Sequence, residues 1–289
     1  MAVRTASANG IEIAYETFGK ASGRPLLLLM GLGLQMLGWP DEFCSALAER
    51  GFFLVRFDNR DTGLSTHLQD APPPDLVAAL SGDTSSASYT LDDMADDVVG
   101  LLDALGVTDA HLVGVSLGGM IAQTLALRHR DRVRSLTSIM SAPVHALEPA
   151  AVARLTAEPA RDRAEAIERT LQLFRLIGSP GYALEEERIA ELAGQAYDRS
   201  YDPVGAARQM LAIEASGNRT QALRGVRVPT LVVHGEADPV ISVAGGRATA
   251  EAVPDAELLV LPGVGHHLPR ELWPTIIDAI VRTADRVGD

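Results

Sequence analysis

The chain has 289 residues, 47% of them hydrophobic and 22% charged, and its 25 basic and 38 acidic residues give a formal net charge of −13. That length fits one large domain, or one domain carrying an inserted segment, with enough apolar residues for a sizeable core. The acidic balance argues against general nucleic-acid or anionic-membrane binding, and a single cysteine, Cys44, excludes an intrachain disulfide and cysteine-rich metal sites.

Met1–Gly10 shows no charged segment followed by an apolar one, so a secretory signal is not expected there. The longest apolar run, around Leu26–Leu34, is broken by Gly31 and Gly33 and falls short of the roughly 20 residues that span a bilayer. A cytoplasmic protein without a membrane partner is the expectation. Ile11–Phe18 alternates polar and apolar residues, like a half-exposed strand, whereas Pro25–Met30 and Phe52–Phe57 are continuous apolar runs, like strands buried on both faces. Between them, Asp41–Arg50 has helical spacing and stops at Gly51; Cys44 lies in it as a small buried hydrophobe. Ala71–Ser88, rich in Pro, Ser and Ala, reads as a surface excursion. Thr90–Leu105 carries a helical stripe (Leu91, Met94, Val98, Leu101, Leu102, Leu105), with Thr90 as N-cap and Gly106 as stop.

His111–Val115 then predicts a strand, Leu117–His129 a helix that follows almost without a loop, and Val133–Met140 another strand. From about Pro143 to Asn218 only helical stripes appear. Strand character returns at Val228–His234, followed by a helix over Ser242–Val253, a strand over Ala256–Leu261 and a helix over Leu268–Arg286. The alternation predicts an α/β fold with a mostly parallel central sheet and helices on both faces. Residues 1–142 and 220–289 form the expected core, and 143–219 an inserted helical lid over the sheet's C-terminal edge, where open α/β folds bind ligands.

The sequence Gly114-Val115-Ser116-Leu117-Gly118 matches G-x-S-x-G between a predicted strand and a predicted helix. A tight turn there strains the serine backbone, requires small neighbours, and leaves Ser116 at a helix N-terminus, where developing negative charge is favoured. The competing structural reading is a glycine-rich turn with a capping serine. A serine hydroxyl needs a base. Of seven histidines, His111 and His234 fall in strand patterns, His129 at a helix end, and His67 and His145 in no motif. His266 follows the glycine loop after the last strand, directly after Gly265; His267 is its competitor. The base needs an acceptor to fix its tautomer. Asp238, just past the strand ending at His234, is the candidate, with Glu236 the weaker alternative and an Asx turn the structural one. Two backbone donors would complete an oxyanion hole: Leu117 N–H and, after the strand Pro25–Met30, Leu32 N–H.

These residues, in the order Ser116, Asp238, His266, resemble the α/β-hydrolase superfamily over essentially the whole chain. Within it, Leu37-Gly-Trp39-Pro-Asp-Glu-Phe43 and Arg56-Phe-Asp58-Asn-Arg60-Asp-Thr-Gly63-Leu-Ser65 resemble aclacinomycin methylesterase-like serine esterases. Relatives commonly have His-Gly where this chain has Met30-Gly31; a backbone donor does not require the histidine. The resemblance implies hydrolysis of a small-molecule carboxylic ester through an acyl-enzyme, with methyl esters of bulky apolar compounds as one class, no cofactor and no metal. It also implies that Asp58 and Arg60 brace the site edge through ion pairs or hydrogen bonds. Met36, Met140, Val144, Phe174 and Met210 are candidates to line a pocket, each with ordinary core as its plainer reading. A cofactor-free haloperoxidase, a lactonase, a carbon–carbon bond hydrolase and a non-catalytic small-molecule receptor share the pattern. Monomer and homodimer are equally open.

Overall fold

A computed structural model describes residues 2–145 and 149–287. In chain order the elements are β1 (Arg4–Ala8), β2 (Ile11–Phe18), β3 (Arg24–Leu29), α1 (Asp41–Glu49), β4 (Phe52–Phe57), α2 (Leu76–Ala79), α3 (Leu91–Ala104), β5 (Ala110–Val115), α4 (Leu117–Arg128) and β6 (Val133–Ile139). The helices α5 (Pro149–Leu155), α6 (Arg163–Ile177), α7 (Glu186–Arg199), α8 (Pro203–Ser216) and α9 (Thr220–Leu223) come next. The chain then returns to the sheet with β7 (Thr230–Gly235), α10 (Val243–Ala252), β8 (Glu257–Leu261) and α11 (Trp273–Asp285).

The strands form one sheet in the order β1-β2-β4-β3-β5-β6-β7-β8. β1 and β2 pair antiparallel, as do β2 and β4; every pair from β4–β3 to β7–β8 is parallel. The α/β-hydrolase architecture expected from the sequence is therefore present. Side chains alternate across a strand, and β3 shows it: Leu27 and Leu29 join a core with α3, α4 and α8, while Leu26 and Leu28 join a second core with α1 and α11. All four leucines are fully buried, which is why the run reads as continuously apolar. The first core takes Leu91, Met94, Val98, Leu101 and Leu102 of α3, the stripe read from the sequence. Thr90 caps that helix in a capping box with Asp93.

Three expectations change. The edge strand β1 was not expected, because Arg4-Thr-Ala-Ser-Ala8 is mostly exposed and shows no alternation. The surface excursion contains the one-turn helix α2, capped by Asp75. The last helix starts at Trp273 rather than Leu268, since Pro269, at φ −59° and ψ 141°, lies outside the helical region and leads into a short 3₁₀ turn at Arg270–Leu272.

The topology also sets the position of the site. From β3 the chain moves to β4 on one side; β5, β6, β7 and β8 then add in turn on the other. The loops after β3 and β5 therefore flank the point where the strand order reverses, a place where α/β sheets open a crevice.

Candidate active site

Ser116 is the N-cap of α4, with φ 54° and ψ −119°, a left-handed φ rare outside glycine. Such backbone costs on the order of 1–3 kcal/mol and persists only where its surroundings dictate it. They do so here. The Ser116 N–H donates to Ile139 C=O at 2.8 Å, and the N–H groups of Gly119 and Met120 return to Ser116 C=O. A Cβ on Gly114 would stand 2.2 Å from Gly118 O, and one on Gly118 would stand 2.2 Å from Leu29 O. Only hydrogen fits at either position, so β5, α4 and the end of β3 close around the serine.

The loop after β3 lies directly beside it. A Cβ on Gly31 would come 3.4 Å from Ser116 Cβ and 4.0 Å from its Oγ. Among the described residues neither Leu32 N–H nor Leu117 N–H donates to a protein acceptor. The Gly33 N–H, by contrast, is taken by Gln209 Oε1 at 2.8 Å.

Asp238 follows β7, its carboxylate fully buried. Oδ1 accepts from Val240 N–H and Ile241 N–H at 2.8 and 2.9 Å, an Asx-type turn. Oδ2 is left for His266 Nδ1 at 2.7 Å. Burial alone would raise this carboxyl's pKa, but hydrogen bonds from His234 and His266 outweigh it and hold it well below the usual carboxylate range. Glu236, two residues nearer the strand, is exposed, and no hydrogen bond joins it to either histidine among the described residues.

Of the competing histidines, His266 is the one paired with Asp238. The His267 ring lies edge-on to Phe174, centroids 5.5 Å apart, and burial lowers its pKa. The others are engaged elsewhere: His111 with Ser135, His129 with Asp96, His145 with Glu214, and His67 with Asp202. Ser116 and His266 share the C-terminal edge of the sheet, yet no hydrogen bond joins Ser116 Oγ to the His266 ring among the described residues.

Two features were not legible. His234, fully buried, donates from Nε2 to Ile241 C=O at 2.7 Å, with Asp238 Oδ2 at 3.5 Å, so a second imidazole backs the carboxylate. The only sequence signal was its four-residue spacing from Asp238. The segment Ile177–Gly181 also fastens the His266 loop. Ile177 C=O accepts from His266 N–H at 2.7 Å, Ser179 Oγ accepts from Gly265 N–H and donates to His267 C=O, and Gly181 N–H donates to Gly263 C=O. Nothing in Gly178-Ser-Pro-Gly181 signals that beyond a turn.

Asp58 and Arg60 take bracing positions. Buried Asp58 accepts from Met36 N–H and Leu64 N–H and pairs with Arg199 of α7 at 2.9 Å, while Arg60 pairs with Asp97. Met36, Met140 and Met210 are buried, Phe174 packs on His267, and Val144 is 45% exposed. Two cavities, of about 500 Å³ beside Phe18 and Phe52 and about 370 Å³ beside His67 and Arg208, are lined by none of these five, nor by Ser116, Asp238 or His266.

Asp61, His67 and Asp202 place possible metal-ligand atoms within 4.8 Å of one another. The donors do not suit a metal. His67 Nδ1 faces Asp202 and Nε2 faces Gly63 C=O, which calls for both ring protons, and Arg208 already sits on Asp61. The bond to Asp202 accordingly raises the His67 pKa.

A family model described as the alpha/beta hydrolase fold matches residues 24–269. The chain belongs to that family and is an α/β-hydrolase enzyme. Among its relatives, the rhodomycin D methylesterases DauP of Streptomyces sp. (strain C5) and DnrP of Streptomyces peucetius are each 28% identical, over 97% of both chains. The solved enol-lactonase from Burkholderia xenovorans LB400 is 25% identical, with a TM-score of 0.78 over 98% of this chain and 100% of its own. The methylesterase likeness read from Leu37–Phe43 and Arg56–Ser65 thus extends along the chain.

Proposed function

We propose that this protein is a serine hydrolase that cleaves a carboxylic ester, with methyl esters of bulky apolar compounds as the favoured class. The observation that carries the reading is the 2.7 Å pair between His266 Nδ1 and buried Asp238, on the sheet edge where Ser116 stands in its strained turn. The substrate class draws support from the two methylesterase relatives.

Donation of Nδ1–H to Asp238 leaves His266 Nε2 as the unprotonated nitrogen. Nε2 takes the Ser116 proton as Oγ attacks the ester carbonyl. The Leu32 and Leu117 N–H groups receive the oxyanion, and such a donor is worth about 10²–10³ in rate. His266 then protonates the departing alcohol, water activated by His266 attacks the acyl-enzyme, and the acid leaves. Asp238 stays ionised throughout and stabilises the imidazolium. The Ser116–His266 hydrogen bond forms as substrate docks; catalytic bonds of this kind are often made only once substrate is bound. No cofactor takes part in these steps. Residues 143–219 act as a lid that frames the alcohol or acyl pocket.

A lactone is an ester closed into a ring, and the likeness to the enol-lactonase keeps it as the second substrate class. The test is hydrolysis of a panel of methyl, short-chain aryl and lactone esters, alongside Ser116→Ala. Steady turnover on at least one ester is expected, with a loss of about 10⁴-fold or more in the variant. Full activity in the variant overturns the assignment. One product per protein molecule and then no further release indicates a receptor.

A further inference from the structure

We infer that Gln209, on α8 of the inserted helical segment, is a positioning residue for the oxyanion hole; the inference rests on the serine-hydrolase reading above. Gln209 is fully buried, and among the described residues every hydrogen bond of its side chain ends on one of two loops. Its Oε1 accepts from Gly33 N–H at 2.8 Å, in the loop after β3. Its Nε2 donates to Arg60 C=O at 2.8 Å and to Thr62 Oγ1 at 2.6 Å, in the loop after β4. An N–H can only donate and a C=O only accept, so these partners fix which end of the amide is which.

The consequence falls on the neighbouring residue. Gly33 has φ 66°, and a Cβ there would stand 3.0 Å from Ala206 Cβ of α8, so the loop lies hard against that helix. Because Gln209 takes the Gly33 N–H, that group turns toward α8 rather than toward Ser116. The preceding peptide, which carries Leu32 N–H, is thereby held in one orientation. On the other side Asn59 Nδ2 donates to Met30 C=O at 3.0 Å and Asp58 accepts from Met36 N–H at 2.7 Å. The core holds both ends of the loop; Gln209 holds its middle. α8 is itself anchored, since Asp202 caps it and pairs with His67, and Arg208 pairs with buried Asp61.

Such a residue should act on the transition state more than on the ground state. Gln209→Met keeps the length and volume of the side chain and removes all three bonds. The expected result is kcat lower by about 10–100-fold, with KM within about three-fold. Binding of phenylboronic acid, which adds to the serine as a tetrahedral anion in the hole, weakens in parallel. Gln209→Glu is the second variant. Its buried carboxyl, when protonated, still accepts from Gly33 and donates one bond. Its kcat relative to wild type is therefore restored toward one at low pH and falls as pH rises. Circular dichroism and thermal melting establish that each variant is folded.

Unchanged kcat and boronate affinity in folded Gln209→Met overturns the inference. So does a Gln209→Glu enzyme whose kcat relative to wild type does not change with pH, which also decides the matter if the methionine variant does not fold. Wild-type protein indifferent to boronate, with Ser116→Ala as active as wild type, overturns the serine-hydrolase reading instead. The two failures are thus distinguishable.

Discussion

His111 lies in the same strand as the Ser116 turn and is only 1% exposed, with its Nδ1 at 2.8 Å from Ser135 Oγ and its ring edge-on to Phe52. Burial pushes its pKa down to about 4, against an ordinary value of 6.5. Between those values the unfolded chain holds a proton that the folded chain does not, so stability falls as pH drops from 6.5 toward 4. The contribution lost by pH 4.5 is on the order of 2–3 kcal/mol. Urea unfolding of wild type and His111→Asn at pH 7.5 and 4.5 should show a larger acid loss in wild type; equal losses would contradict this. His111 was legible as a buried strand residue because its neighbours are apolar. Ser116 was legible because two close approaches of backbone, at Gly114 and Gly118, admit no other residue there. His234 and Ser179 were not, since their roles depend on partners brought close only by folding.

Between elements, a buried ion pair joins the loop after β4 to α3. Arg60 meets both oxygens of Asp97 at 2.6 Å, Asn9 adds a third bond to that carboxylate, and the guanidinium lies over the Tyr89 ring. Both charged groups are below 8% exposed. Burial outweighs the bonds from Arg60 and raises the Asp97 pKa, so this carboxylate depends on its partner to stay ionised. Arg60→Met strands it and should cost about 3–5 kcal/mol in chemical denaturation, whereas Arg60→Met with Asp97→Leu should recover most of the loss. A single variant within 1 kcal/mol of wild type would show the pair to be dispensable. The family resemblance implied a bracing role for Arg60 but not its partner Asp97, on a helix more than thirty residues later. Elements with a buried stripe, such as β3, α3 and β5, were legible nearly to their ends. Exposed β1 and the extended lead into α11 were not, because burial did not pattern them.

Across the whole molecule, a parallel sheet gathers loops far apart in the chain onto one edge. The order Ser116, Asp238, His266 and the all-helical stretch between β6 and β7 disclosed that architecture in advance. What remained hidden is how the helices between β6 and β7 grip the loops that carry the candidate site residues. Gln209 and Arg199 reach the loops after β3 and β4, and Ile177–Gly181 reaches the loop after β8. These contacts are a few scattered polar bonds with no periodicity, so no pattern in the sequence marks them. The central claim is that Ser116 is the nucleophile. It is tested most directly by treating the native protein with a fluorophosphonate and mapping the adduct by peptide mass spectrometry. One adduct per chain, on the peptide containing Ser116 and absent from Ser116→Ala, is the predicted result; no adduct, or one that persists in the variant, would contradict the account.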